Sequence, residues 1–489
     1  MGPTDDGATR SLGRTTALKI HVEAAEDRAL VAKFYEAEQG HLFDDWDSLD
    51  SNQRRQFLDE LGRIDLGFLQ QLIRDNLDSD PDQAPIAAPT PPPLITLSDP
   101  SREDASKAGL NALSNGEVGV LLLAGGVGTR LGHEGPKGSY PLLPLTGMTL
   151  FQFFAESLLR RQKQVGANIP WWIMTSPSNH EDTLRYFRDH DYHGLSSTDV
   201  FILPQEELPV IDPRRGRILR RDSGQIMFSP DGHGGAIRLI QRNPEMFRDR
   251  GIRHVYTHQV DNPLSPIGDP ELVGLHLLHQ SQFSSKAVSK TDPDEKVGVF
   301  CQTGEHLRII EYSELGDEER HRRDSDGELS FRAGNVAMHV IDLDFILGNR
   351  EGTTPALPMP FHMARKQVRH WLDRDWHEED QPNSVRFETF IFDVLPLADR
   401  AIVVEASRER EFAPVKNRKG TDSPDTSRQA LTLLWADWLE QAGHKIDRDA
   451  DGIPHRTIEI SPRIAGNAQQ LSEHLSSIEL PDEGPILIQ

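Results

Sequence analysis

The chain has 489 residues and a net charge of −24, because 77 aspartate and glutamate residues outnumber 53 lysine and arginine residues. Nucleic acid and acidic membrane surfaces would repel such a chain, so we expect neither as a partner. Cys301 is the single cysteine, which excludes an internal disulfide framework and fits a reducing cytoplasm. No apolar run approaches the roughly 20 residues of a membrane span. The polar N-terminus also lacks the apolar centre of a secretion signal.

The length exceeds what one hydrophobic core organises, so we expect two or three domains. Three sections differ in pattern. Residues 1–107 form a helical N-terminal section with a proline-rich segment. Residues 108–405 alternate between short apolar runs and helical patterns, and residues 406–489 mix one long helical run with one strand candidate.

The N-terminal section shows helical periodicity from about residue 23 to residue 78. Leu58, Leu61 and Ile64 recur at helical spacing, and Asp50 or Ser51 is a suitable N-cap. These features predict a helical layer that packs on the main body of the protein.

Two flanking stretches are predicted to lack helices. Residues 1–18 are polar and glycine-bearing, which predicts a loose tail. Residues 81–100 carry prolines that disfavour both helix and sheet interiors. We therefore expect an extended strap that lies over the next domain.

The middle section has the alternation typical of an α/β sheet. Runs of this kind predict a mostly parallel sheet flanked by helices, with its ligand at the carboxyl ends of the strands. The predicted strands are Val118–Leu123, Trp171–Met174, Val200–Leu203, His254–Val260 and Ile402–Val404, and the predicted helices are Phe151–Leu159 and Leu272–His279. In the last section, a helix at Ala430–Ala442 and a strand at Thr457–Ile460 predict a small α+β domain.

The most informative stretch is VGVLLLAGGVGTRLGHEGPKG at 118–138. An apolar strand ends in a glycine-rich bend, and glycines let backbone N–H groups approach a bound anion because no Cβ blocks them. Arg130 and Lys137 add positive charge beside this bend, so the stretch predicts a nucleotide phosphate site. The dinucleotide fingerprint requires a third glycine where Leu131 stands, and the P-loop requires a glycine where Pro136 precedes the lysine.

The segments LAGGVGTRLG at 123–132 and PKGSYPLLPL at 136–145 resemble the UDP-sugar pyrophosphorylases, which couple UTP to a sugar 1-phosphate. This resemblance implies a Rossmann-like, GT-A-like nucleotidyltransferase fold. The segments VDNPL at 260–264, AGNVAMH at 333–339 and IEISPRI at 458–464 resemble the eukaryotic-type UDP-N-acetylglucosamine pyrophosphorylases more than the UDP-glucose branch.

The resemblance implies a set of nucleotide-binding residues. Arg130, Lys137 and Lys416 would contact phosphates and act as the catalytic residues, while Asp261, at the tip of a predicted strand, would hold Mg²⁺ on the triphosphate. Taken alone, this aspartate could equally be an ordinary turn residue before a proline. The implied nucleotide-binding set is Leu123, Ala124, Gly125, Gly126, Lys137, Gln205, Gly232, Asp261, Arg386 and Lys416.

The resemblance also implies a sugar pocket. Its members would be His233, Gly298, Glu311, Asn335, Phe390 and Phe392. Two residues depart from the relatives' pattern: His233 stands where they usually carry asparagine, and Arg386 stands where they carry a lysine. The second change keeps the charge but replaces a point charge by a planar fork.

The implied reaction is attack of a sugar 1-phosphate oxygen on the α-phosphorus of UTP, with pyrophosphate leaving. The preferred sugar is N-acetylglucosamine 1-phosphate, and Mg²⁺ is the expected cofactor. Two alternatives stay open: a uridylyltransferase acting on glucose or galactose 1-phosphate, and a non-catalytic UDP-sugar-binding sensor. The chain carries all four charged residues implied for the phosphates and their cation, namely Arg130, Lys137, Asp261 and Lys416. This favours an enzyme, because a sensor does not need each of them.

Overall fold

The computed structural model describes residues 20–77, 88–312, 314–348, 357–475, 480–481 and 483–489. The chain forms two compact units, each assembled from separate stretches of sequence. The first unit comprises Met1–Gln83, Glu207–Asp231 and Phe361–Glu388, and the second comprises Ala84–Glu206, Gly232–Pro360 and Thr389–Gln489. The predicted boundaries at 107 and 405 divide the chain along its sequence, and that division stays a prediction. The predicted tail at 1–18 lies outside the described residues.

A large mixed sheet forms the centre of the second unit. Its strands, in spatial order, are Leu94–Ile95, Ala401–Ala406, Phe283–Ser289, Ala333–Asp342, His254–Gln259, Val118–Leu123, Trp171–Thr175 and Val200–Pro204. Along this path only Ala333–Asp342 runs antiparallel to its neighbours. A hairpin, Val299–Thr303 with His306–Ile310, joins the edge of that antiparallel strand. The predicted α/β class and the mostly parallel sheet are confirmed.

The strand Val118–Leu123 is buried along its whole length. Val120 and Leu122 face one hydrophobic core of the second unit, and Leu121 and Leu123 face another. A strand covered on both faces needs apolar residues at every position. This double burial explains the unbroken apolar run in the sequence.

Helices of the second unit flank this sheet. Leu150–Val165 begins at Thr149, whose hydroxyl accepts a hydrogen bond from the Gln152 N–H, and ends at Gly166 in the left-handed region. Each described helix is too short or too polar to cross a bilayer. The α-helices are Ser101–Ser114, Leu150–Val165, His180–Asp189, Gly235–Arg242, Glu245–Arg248, Pro270–Leu278, Asp317–His321, Leu343–Leu347, Arg408–Glu411, Pro424–Gln441 and Ala468–Leu475. The 3₁₀ helices are Gly128–Leu131, Lys137–Ser139, Asp191–Gly194 and Ile391–Leu397.

The C-terminal stretch contains the elements that the sequence predicts. The helix Pro424–Gln441 is longer than expected and packs on Ile458–Ile460, which pairs in parallel with Ile486–Ile488. Buried Glu459 accepts hydrogen bonds from the backbone N–H groups of Leu145 and Thr146. These elements share a hydrophobic core with the central sheet.

The part of the predicted strap that the structure describes is extended. Leu94 and Ile95 pair in parallel with Val403 and Val404 at the sheet edge, and Thr90 forms a bridge with Gln302. The prolines at 91–93 precede the paired residues, so they remove no ladder hydrogen bond.

The first unit combines helices with short strands. Asp50 caps its second α-helix in a capping box with Gln53, as the sequence predicts. Phe34, Phe57 and Ile211 lie in its core. Its α-helices are Ala25–Glu36, Ser51–Gly62 and Leu66–Leu77, and its 3₁₀ helices are Gly40–Phe43 and Trp46–Ser48. Its strands are Glu207–Pro209, Ile211–Asp212, Arg217–Ile218, Arg220–Asp222, Gln225–Ile226, Phe228–Pro230, His362–Lys366, His370–Leu372, Asp375–His377 and Ser384–Glu388.

Candidate active site

The glycine bend follows directly from the strand Val118–Leu123. Its backbone pairs with the segment that carries Lys137: the Lys137 N–H donates to the Gly126 carbonyl at 3.1 Å, and the Gly128 N–H donates to the Gly135 carbonyl at 2.9 Å. A Cβ at Gly128 would lie 2.9 Å from the His133 carbonyl oxygen, so the turn accepts no larger residue there. The bend and the lysine are therefore one structural piece.

A buried asparagine holds the bend from behind. The Asn179 side-chain amide donates to the carbonyls of Ala124 and Gly126, each at 3.0 Å, and its Oδ1 accepts from the Ser176 N–H at 2.9 Å. Asn179 is 2% exposed. Asn179 was not predicted as a site residue. It directly precedes the helix His180–Asp189, which was not among the predicted helices.

Gln205 and two glycines, Gly125 and Gly232, meet beyond the carboxyl ends of the strands. The Gln205 Nε2 donates to the Gly232 carbonyl at 2.9 Å, and a Cβ at Gly125 would lie 2.5 Å from the Gln205 Oε1. Gly232 has a φ of 84°, in the left-handed region that favours glycine. The structure therefore brings together three residues that the resemblance assigns to nucleotide binding.

Lys137 and Asp261 lie side by side. The Lys137 Nζ is 3.6 Å from the Asp261 Oδ2, and the two side chains are 16% and 11% exposed. Asp261 comes two residues after the strand His254–Gln259, whose continuation is tied to the bend by the Val260 N–H donating to the Leu123 carbonyl at 3.1 Å. The segments that follow two neighbouring parallel strands thus place a cation and an anion next to each other.

The segment that carries Lys416 is attached to the same place. The Val415 N–H donates to the Asp261 carbonyl at 2.7 Å, and the Lys416 N–H donates to the Asp422 carbonyl at 2.7 Å. Burial raises the pKa of the Asp422 carboxyl; the charge of Asp261 raises it further, and that of Lys416 lowers it. Asp422 is a second acidic residue within electrostatic reach of Asp261, and the sequence analysis missed it.

Arg130 lies on the bend itself, in the 3₁₀ helix Gly128–Leu131, and its side chain is exposed. Arg386 belongs to the first unit, on the strand Ser384–Glu388. Its Nε is buried, and no described residue accepts a hydrogen bond from it. A buried guanidinium nitrogen without an acceptor is costly, and an anionic ligand is one way to satisfy it.

Three residues of the predicted sugar pocket come together around the antiparallel strand. The Asn335 N–H donates to the Gly298 carbonyl at 2.8 Å, and a Cβ at Gly298 would lie 3.1 Å from the Glu311 Oε1. The Asn335 Oδ1 accepts from the Ala337 N–H at 2.9 Å, and Ala337 has a φ of 53°. The asparagine therefore stabilises a turn of the backbone that a non-glycine residue rarely adopts.

The other three predicted sugar residues form an aromatic cluster. The His233 ring stacks on Phe390 with centroids 5.3 Å apart and lies 5.6 Å from the Phe392 ring. The His233 Nδ1 accepts a hydrogen bond from the Ile391 N–H at 3.1 Å. The next glycine, Gly234, contacts the same segment closely, since a Cβ there would lie 2.7 Å from the Thr389 carbonyl carbon.

The charges at the bend suit a polyphosphate and a divalent cation. Lys137 and Lys416 can neutralise phosphate oxygens, while Asp261 and Asp422 offer the hard oxygen ligands that Mg²⁺ prefers. Burial is the main cause of the raised pKa of Asp422, and the charge of Asp261 adds to it. A cation bound by both carboxylates would relieve that repulsion. Glycine backbone, cations and carboxylates therefore converge at the carboxyl ends of the strands.

Comparisons with known proteins agree with this geometry. A family model described as UTP–glucose-1-phosphate uridylyltransferase matches residues 82–444. The chain is 36% identical over 464 residues to the UDP-N-acetylglucosamine pyrophosphorylase of Saccharomyces cerevisiae, covering 90% of this chain and 95% of that protein. It is 32% identical over 467 residues to UDP-N-acetylglucosamine diphosphorylase 2 of Arabidopsis thaliana, covering 90% of both.

A solved structure shares the fold along nearly the whole chain. The uridine diphosphate N-acetylglucosamine pyrophosphorylase of Trypanosoma brucei, crystallised with an inhibitor, superposes with a TM-score of 0.79 at 23% identity, covering 96% of this chain and 99% of that one. The fold, the glycine bend and these matches lead to one assignment: the chain belongs to the UTP–glucose-1-phosphate uridylyltransferase family of UDP-sugar pyrophosphorylases.

Proposed function

We propose that the protein is a uridylyltransferase that makes UDP-N-acetylglucosamine and pyrophosphate from UTP and N-acetylglucosamine 1-phosphate. The observation that carries this proposal is that the glycine bend, Lys137 and Asp261 meet at the carboxyl ends of the strands. The sugar is taken from the names of the relatives at 36% and 32% identity.

In the proposed reaction, an oxygen of the sugar 1-phosphate forms a bond to the α-phosphorus of UTP. The bond from that phosphorus to the oxygen bridging the α- and β-phosphates breaks, and pyrophosphate leaves with the electron pair. The attacking phosphate is already ionised at neutral pH, so no side chain has to remove a proton. The protein therefore contributes alignment of the reactants and neutralisation of charge.

The phosphate-binding roles follow from charge and position. Lys137, held against the bend through its own backbone, would bind the triphosphate together with Arg130. Lys416, attached to Asp261 through the neighbouring Val415, would bind the α-phosphate or the sugar phosphate. The phosphate contact that the resemblance implies for Arg386, a residue of the first unit, stays a prediction.

The uridine would lie against Leu123–Gly126, with Gln205 and Gly232 beside it. The Gln205 amide donates a hydrogen bond to the Gly232 carbonyl, and a side-chain amide, which both donates and accepts hydrogen bonds, suits a uracil edge. Gly125 lets the base approach, because any side chain there would meet Gln205.

Asp261, with Asp422 as a further ligand, would hold Mg²⁺. The cation would supply charge neutralisation on the triphosphate. The residues fit this cation because Asp261 lies beside Lys137 at the bend and its charge acts on the Asp422 carboxyl.

The sugar would be read by two groups of residues. Gly298, Glu311 and Asn335 offer hydrogen-bonding groups for hydroxyls and an acetamide, and His233, Phe390 and Phe392 offer an apolar ring surface. We also propose a cytoplasmic location, which the lone, buried Cys301 supports.

The test is pyrophosphate release from UTP with a panel of sugar 1-phosphates. We expect N-acetylglucosamine 1-phosphate to give the highest kcat/KM, well above glucose and galactose 1-phosphates. A higher value with either hexose would replace the proposed sugar and keep the reaction. Tight binding of UDP-sugar without pyrophosphate release from any member of the panel would instead support the sensor alternative.

A further inference from the structure

Three potential metal ligands meet at the end of the central sheet opposite the nucleotide site. His254 begins the strand His254–Gln259, and Asp342 ends the antiparallel strand beside it, directly opposite in register. His276 comes from the helix Pro270–Leu278. One ligand atom from each of the three side chains lies within 4.8 Å of the others, and the His254 Nδ1 is 3.8 Å from the Asp342 Oδ2.

The two histidines are buried, and each has a ring nitrogen without a partner. His254 is 6% exposed and His276 is 1% exposed. The His254 Nδ1 and the His276 Nε2 accept or donate no hydrogen bond among the described residues. The 3.8 Å separation from Asp342 is too long for a hydrogen bond. Buried imidazole nitrogens of this kind are costly unless something else binds them.

Neighbouring groups prepare these side chains as ligands. The His276 Nδ1 is hydrogen-bonded to the buried Ser284 hydroxyl at 2.8 Å. If that nitrogen carries the proton, the Nε2 keeps its lone pair, which is how a metal-ligating histidine is usually oriented. The Asp342 Oδ1 accepts from the Phe345 N–H at 2.9 Å, and the Oδ2 lies 3.8 Å from the His254 Nδ1.

The ligands open onto a cavity of about 310 Å³. Two arginines lie in its wall: Arg253 pairs with Glu117 at 3.8 Å, and the Arg400 Nε donates at 2.7 Å to the carbonyl of Gln280, which lines the same cavity. The cavity therefore offers room for water or a small ligand beside the three side chains.

We propose that His254, His276 and Asp342 form a zinc-binding site with its fourth position open to this cavity. Two imidazoles and one carboxylate are typical of zinc sites that keep an open position. Around a tetrahedral zinc ion with bonds of roughly 2.0–2.1 Å, ligand atoms are roughly 3.3 Å apart. Binding therefore draws the His254 and Asp342 ligand atoms, now 3.8 Å apart, together by about 0.5 Å, and draws any ligand pair of the site, all within 4.8 Å, together by at most about 1.5 Å.

This site is separate from the proposed magnesium position. His254 and Asp261 lie at opposite ends of the same strand and its continuation, on the order of 20 Å apart at about 3.3 Å per residue. The zinc proposal does not depend on the sugar or on the reaction. Bound zinc would instead link the strand, its antiparallel neighbour and a flanking helix.

The experiment is calorimetric titration of the metal-stripped full-length protein with Zn²⁺ alone. Four variants are compared: Asp342→Asn, His276→Gln, His279→Gln and Asp261→Asn. Asparagine preserves the helix cap at 342, and His279 is an exposed histidine near the site that serves as the control. We expect one zinc ion per chain, at least tenfold weaker binding in the first two variants, and unchanged binding in the last two.

Cobalt substitution gives a second measurement that does not depend on the His276 variant folding. We expect Co²⁺ to give the intense visible absorption of a four-coordinate site in the wild type and in Asp261→Asn, but not in Asp342→Asn. Equal zinc affinity in all variants would overturn the proposal. Loss of binding in Asp261→Asn with retention in Asp342→Asn would place the zinc at the phosphate site and also overturn it.

Discussion

The Lys137 ammonium lies 3.6 Å from the Asp261 carboxylate, although the two residues belong to segments that follow different strands of the sheet. A pair with this little solvent exposure, 16% and 11% for the two side chains, is screened less by water and salt than a surface pair. The hypothesis of a triphosphate site at the glycine bend requires these two residues on the same side of the molecule. Their proximity is the geometric condition on which the proposed function rests.

Replacing Asp261 with asparagine should weaken the binding of the Mg²⁺ that activity requires. The neutral amide keeps the size of the side chain but lowers the charge available to a cation. We expect kcat to fall about 10²-fold and half-maximal activity to require at least tenfold more Mg²⁺. Magnesium titrations of pyrophosphate release check this. Asp104→Asn, at an exposed helix position, is the control, and an equal effect in both variants would exclude a specific role for Asp261.

Alanine at position 125 should impair UTP binding without unfolding the protein. Its Cβ would lie 2.5 Å from the Gln205 Oε1, so the amide has to move away from the proposed base site. We expect the KM for UTP to rise at least tenfold, which corresponds to about 1.4 kcal/mol. Gly62→Ala is the matched control, because a Cβ there meets no atom within 4 Å. Identical kinetics in both variants would contradict nucleotide binding beside Gly125.

His233 should be replaceable by asparagine but not by alanine. The asparagine Oδ1 can take over the acceptor role of the His233 Nδ1 toward the Ile391 N–H, whereas alanine leaves this N–H without its acceptor. Losing one hydrogen bond costs about 1 kcal/mol. We expect the KM for the sugar 1-phosphate to rise about fivefold in His233→Ala and to stay within about twofold in His233→Asn. An equal KM for the sugar 1-phosphate in the two variants would contradict a positioning role for this hydrogen bond.

Buried His258 should make the protein less stable in acid. Burial lowers the pKa of this imidazole to about 3, whereas the unfolded value is about 6.5. Between these values the unfolded chain holds a proton that the folded protein lacks, so stability falls as the pH drops, by about 1.4 kcal/mol per pH unit.

His258→Leu removes this contribution. From about pH 6 to about pH 4, we expect its free energy of unfolding to fall less steeply than that of the wild type, by about 1.4 kcal/mol per pH unit. Urea unfolding at several pH values measures this slope. His279→Leu, at an exposed position, should keep the wild-type slope, and a wild-type slope in His258→Leu would contradict the assignment.

The sequence predicts the parts of the fold whose burial shows in their composition. Val118–Leu123 was predicted with its correct bounds, because burial on both faces demands an unbroken apolar run. Phe283–Ser289 was missed because it reads as polar. Its Lys286 is nevertheless buried, paired with Asp269 at 2.6 Å and with Glu411. Partners from distant parts of the chain make that burial acceptable, and no local pattern reveals them.

The first unit illustrates a second kind of miss. Several of its strands, such as Ile211–Asp212 and Arg217–Ile218, have two residues, which is too short for any periodicity to register. The chain also returns to this unit twice after leaving it, and hydrophobic patterning along the chain does not indicate which separate stretches join.

The site residues that belong to sequence motifs were predictable. Those whose role depends on tertiary contacts were not. Lys137, Asp261 and Gln205 were identified from their segments. Asn179 and Asp422 were missed because neither belongs to a sequence motif. Asn179 is a buried side chain that hydrogen-bonds the glycine bend, and Asp422 is a loop residue with a backbone φ of 55°. Both act through backbone groups or charges that only the folded chain brings together.

The most direct test of the central claim is the rate of pyrophosphate release in Lys137→Ala and Arg130→Ala, compared with the wild type at saturating UTP. If the bend binds the triphosphate, each variant should lose about 10²- to 10³-fold in kcat while keeping the wild-type melting temperature. Lys163→Ala, at an exposed helix position, should keep full activity. Wild-type turnover in both Lys137→Ala and Arg130→Ala would contradict the account.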